Sequence, residues 1–145
     1  MFLVGSRTSS NNLYRLAAAT MALLAAGHTM GAVLRTPHFN DAASAVRSAM
    51  TSVRFPCDGS SCTWFGFYLG FAIMVSVFVL LCAFTVWYVG GLDRATRLLL
   101  RPLTFALLLA FVAMALVCKF FFFAPPLVLS LIVAGLLAAI LARFP

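Results

Sequence analysis

The sequence predicts an all-α membrane protein in which four spanning helices form a bundle, and three observations lead there. First, charge is confined to the edges of long apolar runs: nothing charged lies between Arg15 and Arg35, Asp58 and Asp93, Arg101 and Lys119, or Lys119 and Arg143. Each gap is close to or above the roughly 20 apolar residues that carry a helix across a bilayer. Second, the runs are continuously apolar instead of alternating, which selects helices over a closed barrel, the only two structures that satisfy their backbone in lipid. Third, the 145 residues are 64% hydrophobic and only 9% charged, against about 25% charged in soluble domains. One membrane domain over 1–145 accounts for the whole chain.

The elements follow in order. A polar, basic lead-in holding Ser6, Arg7, Thr8, Ser9, Ser10, Asn11 and Asn12 reads as a short disordered tail. The first span is expected over about 13–34. A basic start and small residues at Ala25, Ala26 and Gly27 also fit a secretory signal peptide, but the run is longer than a usual signal core, and the helix is expected to be retained. In the loop that follows, Ala42, Ala45, Val46, Ala49, Met50 and Val53 recur at helical spacing, with Ser44, Arg47, Ser48 and Arg54 on the other side. This predicts a short amphipathic helix over about 41–54, started by Asp41 or Asn40 and lying in the membrane surface or capping the bundle. Pro56 and Gly59 break it.

The second span is expected over about 63–89, with Trp64, Phe67 and Tyr68 at one end and Trp87 and Tyr88 at the other, where interfacial aromatic belts fall. Gly90 and Gly91 end it. The third span covers about 98–122 with Pro102 in its first turns. The corner Ala124-Pro125-Pro126 leads to the fourth, about 127–144. No internal repeat is visible. With four spans both termini share a side, which holds Arg7, Arg15, Arg94, Arg97, Arg101 and Arg143, while Arg35, Arg47, Arg54 and Lys119 lie opposite. The bias places both termini in the cytoplasm.

Several function classes fall away at this stage. The net charge of +7 is scattered over helix ends and forms no stripe for nucleic acid. The chain has no Glu, and Asp41, Asp58 and Asp93 all lie outside the apolar runs, which argues against an intramembrane carboxylate relay or a di-metal carboxylate site. Metal-ligand spacing, phosphate-cradling loops and nucleophile elbows are absent.

What remains is a small set of candidates. Gly27 and Gly31 in the first span, and Gly66 and Gly70 in the second, form two small-x-x-x-small pairs at matching depth. They are expected to dock glycine face to glycine face. His28, bordering that stripe, is the one histidine or charged side chain well inside an apolar span, and such residues are expensive enough to be functional candidates. It is the candidate general acid or base, and with Tyr68 and Lys119 the candidate ligand contact. His38 is the only other histidine; a single intramembrane His argues against bis-histidine haem, and the sequence names no cofactor. Cys57 and Cys62 can close a small disulfide loop in an oxidising compartment. Membrane thiol oxidoreductases of the vitamin K epoxide reductase type also carry a loop cysteine pair, but they need a membrane-edge C-x-x-C, and Cys82 and Cys118 are solitary here.

The motifs Gly27-His28-Thr29-x-Gly31 and Phe67-Tyr68-x-Gly70-Phe71 resemble the G-H-T-x-G and F-Y-x-G-F elements of a group of small, largely uncharacterised four-helix integral membrane proteins. The resemblance implies the four-span fold and imports no activity; it groups His28, Gly31, Tyr68 and Gly70 as one unit. Two readings follow. One is a bundle holding a lipophilic small molecule in its outward half, with acid/base isomerisation or cyclisation at His28. The other is a non-catalytic accessory subunit packing against further membrane proteins. In both, the bilayer is the first partner.

Overall fold

The computed structural model describes the backbone of residues 4–34 and 40–143, and side chains from residue 11 onward within those ranges. Four helices are long and apolar enough to cross a membrane: Asn11–Leu34, Trp64–Gly91, Arg101–Phe121 and Ala124–Ala142. The elements in order are α1 (Val4–His28), a π-helical stretch (Thr29–Leu34), α2 (Asp41–Ser52), β1 (Arg54–Cys57), β2 (Ser60–Thr63), α3 (Trp64–Gly91), α4 (Arg94–Leu99), α5 (Arg101–Phe121) and α6 (Ala124–Ala142). At no span are more than 28% of the apolar stretch's residues buried, so most side-chain surface is left for lipid.

Three boundaries differ from the expectation. The polar lead-in is not a separate tail: α1 is already helical at Val4, so it extends the first span's hydrogen-bond ladder. The third span is interrupted at Leu100, which ends α4 and begins α5 with φ −89° and ψ 7°. Pro102 supplies the reason, since its ring crowds the carbonyl four residues back and it has no N–H to donate. The corner before α6 is tighter than expected: Pro125 and Pro126 sit inside its first turn, where the missing N–H groups would be unbonded anyway. The turn is left to Phe122 and Phe123. Phe144, the expected end of the fourth span, and Arg35 and His38 lie outside the described residues.

The chain gathers into two compact units, Met1–Ala25 with Phe78–Pro145, and Ala26–Val77. In the first, Tyr14, Ala17, Ala18, Met21, Leu24 and Ala25 of α1 join Val79, Ala83, Val86 and Val89 of α3, Phe111 of α5, and Val133, Ala134, Leu137 and Ile140 of α6 in one core. In lipid this core gains nothing from leaving water; it is held by dispersion between closely fitted surfaces. Among the described glycines the closest approach is at Gly90: a Cβ there would lie 2.5 Å from the Tyr14 Cβ. Gly90 and Gly91 are the last two residues of α3, so the helix ends at the expected pair. Gly90 is also the point where backbone and Tyr14 come together. Tyr14 is 1% exposed, with the Arg97 guanidinium 5.9 Å from its ring centroid.

The second unit is built differently. Asn40 caps α2, its side chain accepting from the Ala43 N–H at 2.9 Å; Asp41 follows as the first helical residue. β1 and β2 pair antiparallel, Cys57 opposite Ser60 and Phe55 opposite Cys62. Asp58 (φ 44°) and Gly59 (φ 82°) form the two-residue turn between them, the conformation an Asp-Gly pair accepts most readily. Phe55 then packs on the start of α3, 4.8 Å from Trp64 and 6.0 Å from Phe67 between ring centroids.

Candidate functional site

His28 is the last residue of α1, and the hydrogen-bond pattern widens to a π-helix at Thr29. On a regular helix consecutive side chains diverge by about 100°. Here both turn to one hydroxyl on α3: His28 Nδ1 lies 3.0 Å from Ser76 Oγ, and Thr29 Oγ1 donates to the same oxygen at 2.8 Å. Ser76 in turn donates to the Ala72 carbonyl at 3.3 Å. π-turns inside α-helices recur at functional sites because they re-aim side chains in this way. Ser76 is 6% exposed, while His28 and Thr29 are half-buried.

The proton and lone-pair count of these groups is compatible with a δ-protonated imidazole. A serine hydroxyl offers one hydrogen and two lone pairs. The hydrogen goes to Ala72, one lone pair receives Thr29, and the other is satisfied if His28 carries its proton on Nδ1 and donates it. This assignment, made from the hydrogen-bond count, makes all three contacts at once. In this tautomer Nε2 is the unprotonated nitrogen; in the other, Ser76 donates to Nδ1 and Nε2 carries the hydrogen, and in both no described residue bonds Nε2. The arrangement can accept a hydrogen bond from a ligand or take up a proton, with Ser76 holding the ring in place.

The other sequence candidates fall in different places. Tyr68 is half exposed, its ring 6.1 Å from Phe65; it lies eight residues before Ser76, about 12 Å along the helix, and makes no hydrogen bond to His28. Lys119 is exposed in the last turn of α5, its Nζ 5.8 Å from the Phe120 ring centroid, and belongs to the first unit. A disulfide joins Cys57 and Cys62 across the hairpin, with Cα atoms 6.0 Å apart.

The glycine seam needs correcting. A Cβ on Gly27, Gly31 or Gly70 would meet nothing within 4 Å, and one on Gly66 only Thr63 of its own turn, at 3.2 Å. The α3 residues buried in this unit are instead Ala72 and Ser76, about 120° round the helix from Gly66 and Gly70 at 100° per residue. On α1 the i, i+4 pair is lost because Gly31 lies in the π-helix. Gly66 and Gly70 floor an open groove of about 560 Å³ beside Phe67, Phe71 and Met74, with Arg54 at its rim.

Ser76 itself escaped the sequence reading. A signal was present: Ala72, Ser76, Val79, Ala83, Val86 and Gly90 recur at alternating spacings of four and three, and all are buried. That is the narrow seam of a close helix contact. Comparison with known proteins finds no family model, no curated protein and no solved structure that matches the chain.

Proposed function

We propose that the chain is a multi-pass membrane bundle that holds a lipophilic small molecule against His28. The observation that carries this reading is the engagement of Nδ1 by Ser76, which leaves Nε2 without a described partner in a largely apolar span. Nε2 would accept a hydrogen bond from a ligand hydroxyl. It would also take a proton from an acidic carbon and return it elsewhere on the same molecule, so isomerisation or cyclisation proceeds without a co-reactant. The G-H-T-x-G element coincides with the π-turn and its serine contact, which supports treating His28 as the working residue of the resemblance.

Topology belongs to the same proposal. Both termini, with Arg15, Arg94, Arg101 and Arg143, sit in the cytoplasm, and Arg47, Arg54, Lys119 and the disulfide hairpin face outward. α2 lies in the outer membrane surface. Its support is the unpartnered apolar side: Ala42, Ala45 and Ala49 are exposed, as are Val46 and Val53 at 61% and 54%, while Arg47 packs 4.9 Å from the Phe65 ring centroid. The accessory-subunit reading draws on the run Phe120–Phe123 at the α5–α6 corner, every ring at least 59% exposed.

Gentle purification followed by mass spectrometry of what co-purifies tests the proposal. Wild type is expected to carry a lipophilic molecule that His28→Ala loses while still melting near the wild-type temperature. A variant that melts lower yet keeps its full ligand complement would overturn the ligand role. Stoichiometric membrane proteins in place of a small molecule would install the subunit reading instead.

A further inference from the structure

A groove of about 720 Å³ lies between α5 and α6 at the end where α5 begins. Leu98, Arg101, Phe105 and Leu108 recur at spacings of three and four and line one wall; Ala138 and Leu141 belong to the other. Arg101 is its only charged lining residue and is exposed. As the first residue of the third span, Arg101 marks the membrane edge, and Leu108 lies about 10 Å deeper at 1.5 Å per residue. The groove is thus cationic at the headgroup level and apolar below it.

Among the described residues no ion pair compensates this charge. Asp93, the acid of this unit, turns its oxygens to the start of α4, accepting from the Ala95 and Thr96 N–H groups at 2.9 and 3.1 Å and from the Thr96 hydroxyl. Arg94 adds a further exposed cation one turn before Leu98. We infer that this groove is a binding site for an anionic phospholipid, its phosphate on Arg101 and one acyl chain along Phe105 and Leu108 against Ala138 and Leu141. Guanidinium pairs with phosphate through two parallel hydrogen bonds, and basic sites beside membrane helices take acidic headgroups by this means. A second copy of the chain fits less well, because a two-fold axis along the membrane normal would bring Arg101 against Arg101.

The site uses no residue of the second unit, so it stands or falls apart from the ligand proposed at His28. The test is native mass spectrometry of the full chain titrated with dioleoyl phosphatidylglycerol or dioleoyl phosphatidylcholine. Wild type is expected to retain phosphatidylglycerol preferentially. Arg101→Gln should weaken that retention about fivefold, the weight of one basic residue at an anionic surface, and Ala138→Phe should abolish it by filling the trench. His28→Ala should not change it. Arg15→Gln, which removes an exposed arginine elsewhere, should not change it either; an equal loss there would reduce the effect to general charge and overturn the site. Glycerol 3-phosphate should compete only weakly; competition as strong as the lipid's would remove the acyl trench from the proposal. A change of oligomeric mass in Ala138→Phe, with lipid retention intact, would reassign the groove to self-association.

Discussion

The two units solve the problem of packing in lipid by opposite means. The first buries large side chains: Tyr14, Met21, Phe111, Leu137 and Ile140 are each no more than 1% exposed. The second buries only Ala72 and Ser76 among its described residues. Its specific contacts are mostly polar or covalent, the His28–Thr29–Ser76 hydrogen bonds, the capped α2 and the disulfide hairpin, with a largely exposed aromatic cluster of Phe55, Trp64 and Phe67 beside them. Dispersion over a broad core is hard to unpick locally. A few directional contacts open at lower cost, and binding regions are drawn from such segments. His28 thus sits where large-side-chain burial is thinnest.

The largest effect that would test this contrast lies at Gly90. Gly90→Leu should destabilise the protein by about 3 kcal/mol, the upper range for overpacking, because its first side-chain carbon already meets Tyr14 at 2.5 Å. Gly70→Ala should leave the melting temperature in detergent unchanged. Equal melting of the two variants would mean that the first unit is not the tightly packed one. Cys62→Ser comes next. Opening a loop with a sequence separation of 5 removes about 2 kcal/mol by chain entropy. Amide exchange in β1, β2 and the start of α3 should speed up, with little change around Phe111; exchange rising equally in both regions would break the division.

Ser76→Ala is expected to cost about 1 kcal/mol, the scale of intramembrane hydrogen bonds. A double-mutant cycle with His28→Ala should reveal coupling, whereas independent effects would dissolve the network. The smallest effect is at Asp93. Its hydrogen bonds from the Thr96 hydroxyl and N–H, and from the Ala95 N–H, hold the carboxyl below the ordinary aspartate range. A depressed folded-state pKa means stability that is present above the unfolded value and lost as pH falls through the folded one. Acidification below the ordinary aspartate range should fray α4 in wild type, and Asp93→Asn, which keeps an acceptor, should show a flatter response by circular dichroism. Identical acid profiles would remove Asp93 from that role.

The four spans were legible because charge is costly in lipid, so the gaps between Arg15, Arg35, Asp58, Asp93, Arg101, Lys119 and Arg143 mark membrane edges directly. His28 was legible for the same reason. Its partner was not. Locating Ser76 requires knowing which face of α3 turns inward; in a helix that is apolar all round, hydrophobicity carries almost no phase, and only the four-and-three spacing of its smaller residues did. The glycines suggested one face, but alanine and serine permit close approach as well, and the Ala72–Ser76 face is the buried one. A wheel drawn at a constant angle also cannot foresee the π-turn at Thr29. Pro102 and Pro125 marked the later breaks, shifted by a few residues because proline sits within a first turn as readily as before it.

The spans are unequal in reach. From Trp64 to Trp87 the two aromatic ends of α3 stand about 35 Å apart, while the 19 residues of α6 extend about 28 Å. Against a hydrocarbon layer of about 30 Å, α3 has length to spare and α6 has none. A thicker bilayer would relax the long helix toward upright and stretch the lipid contacts of the short one at Pro125 and Arg143; a thinner one would do the reverse. Bilayer thickness thus acts on the two helices with opposite sign, so acyl-chain length is the variable to which their balance responds.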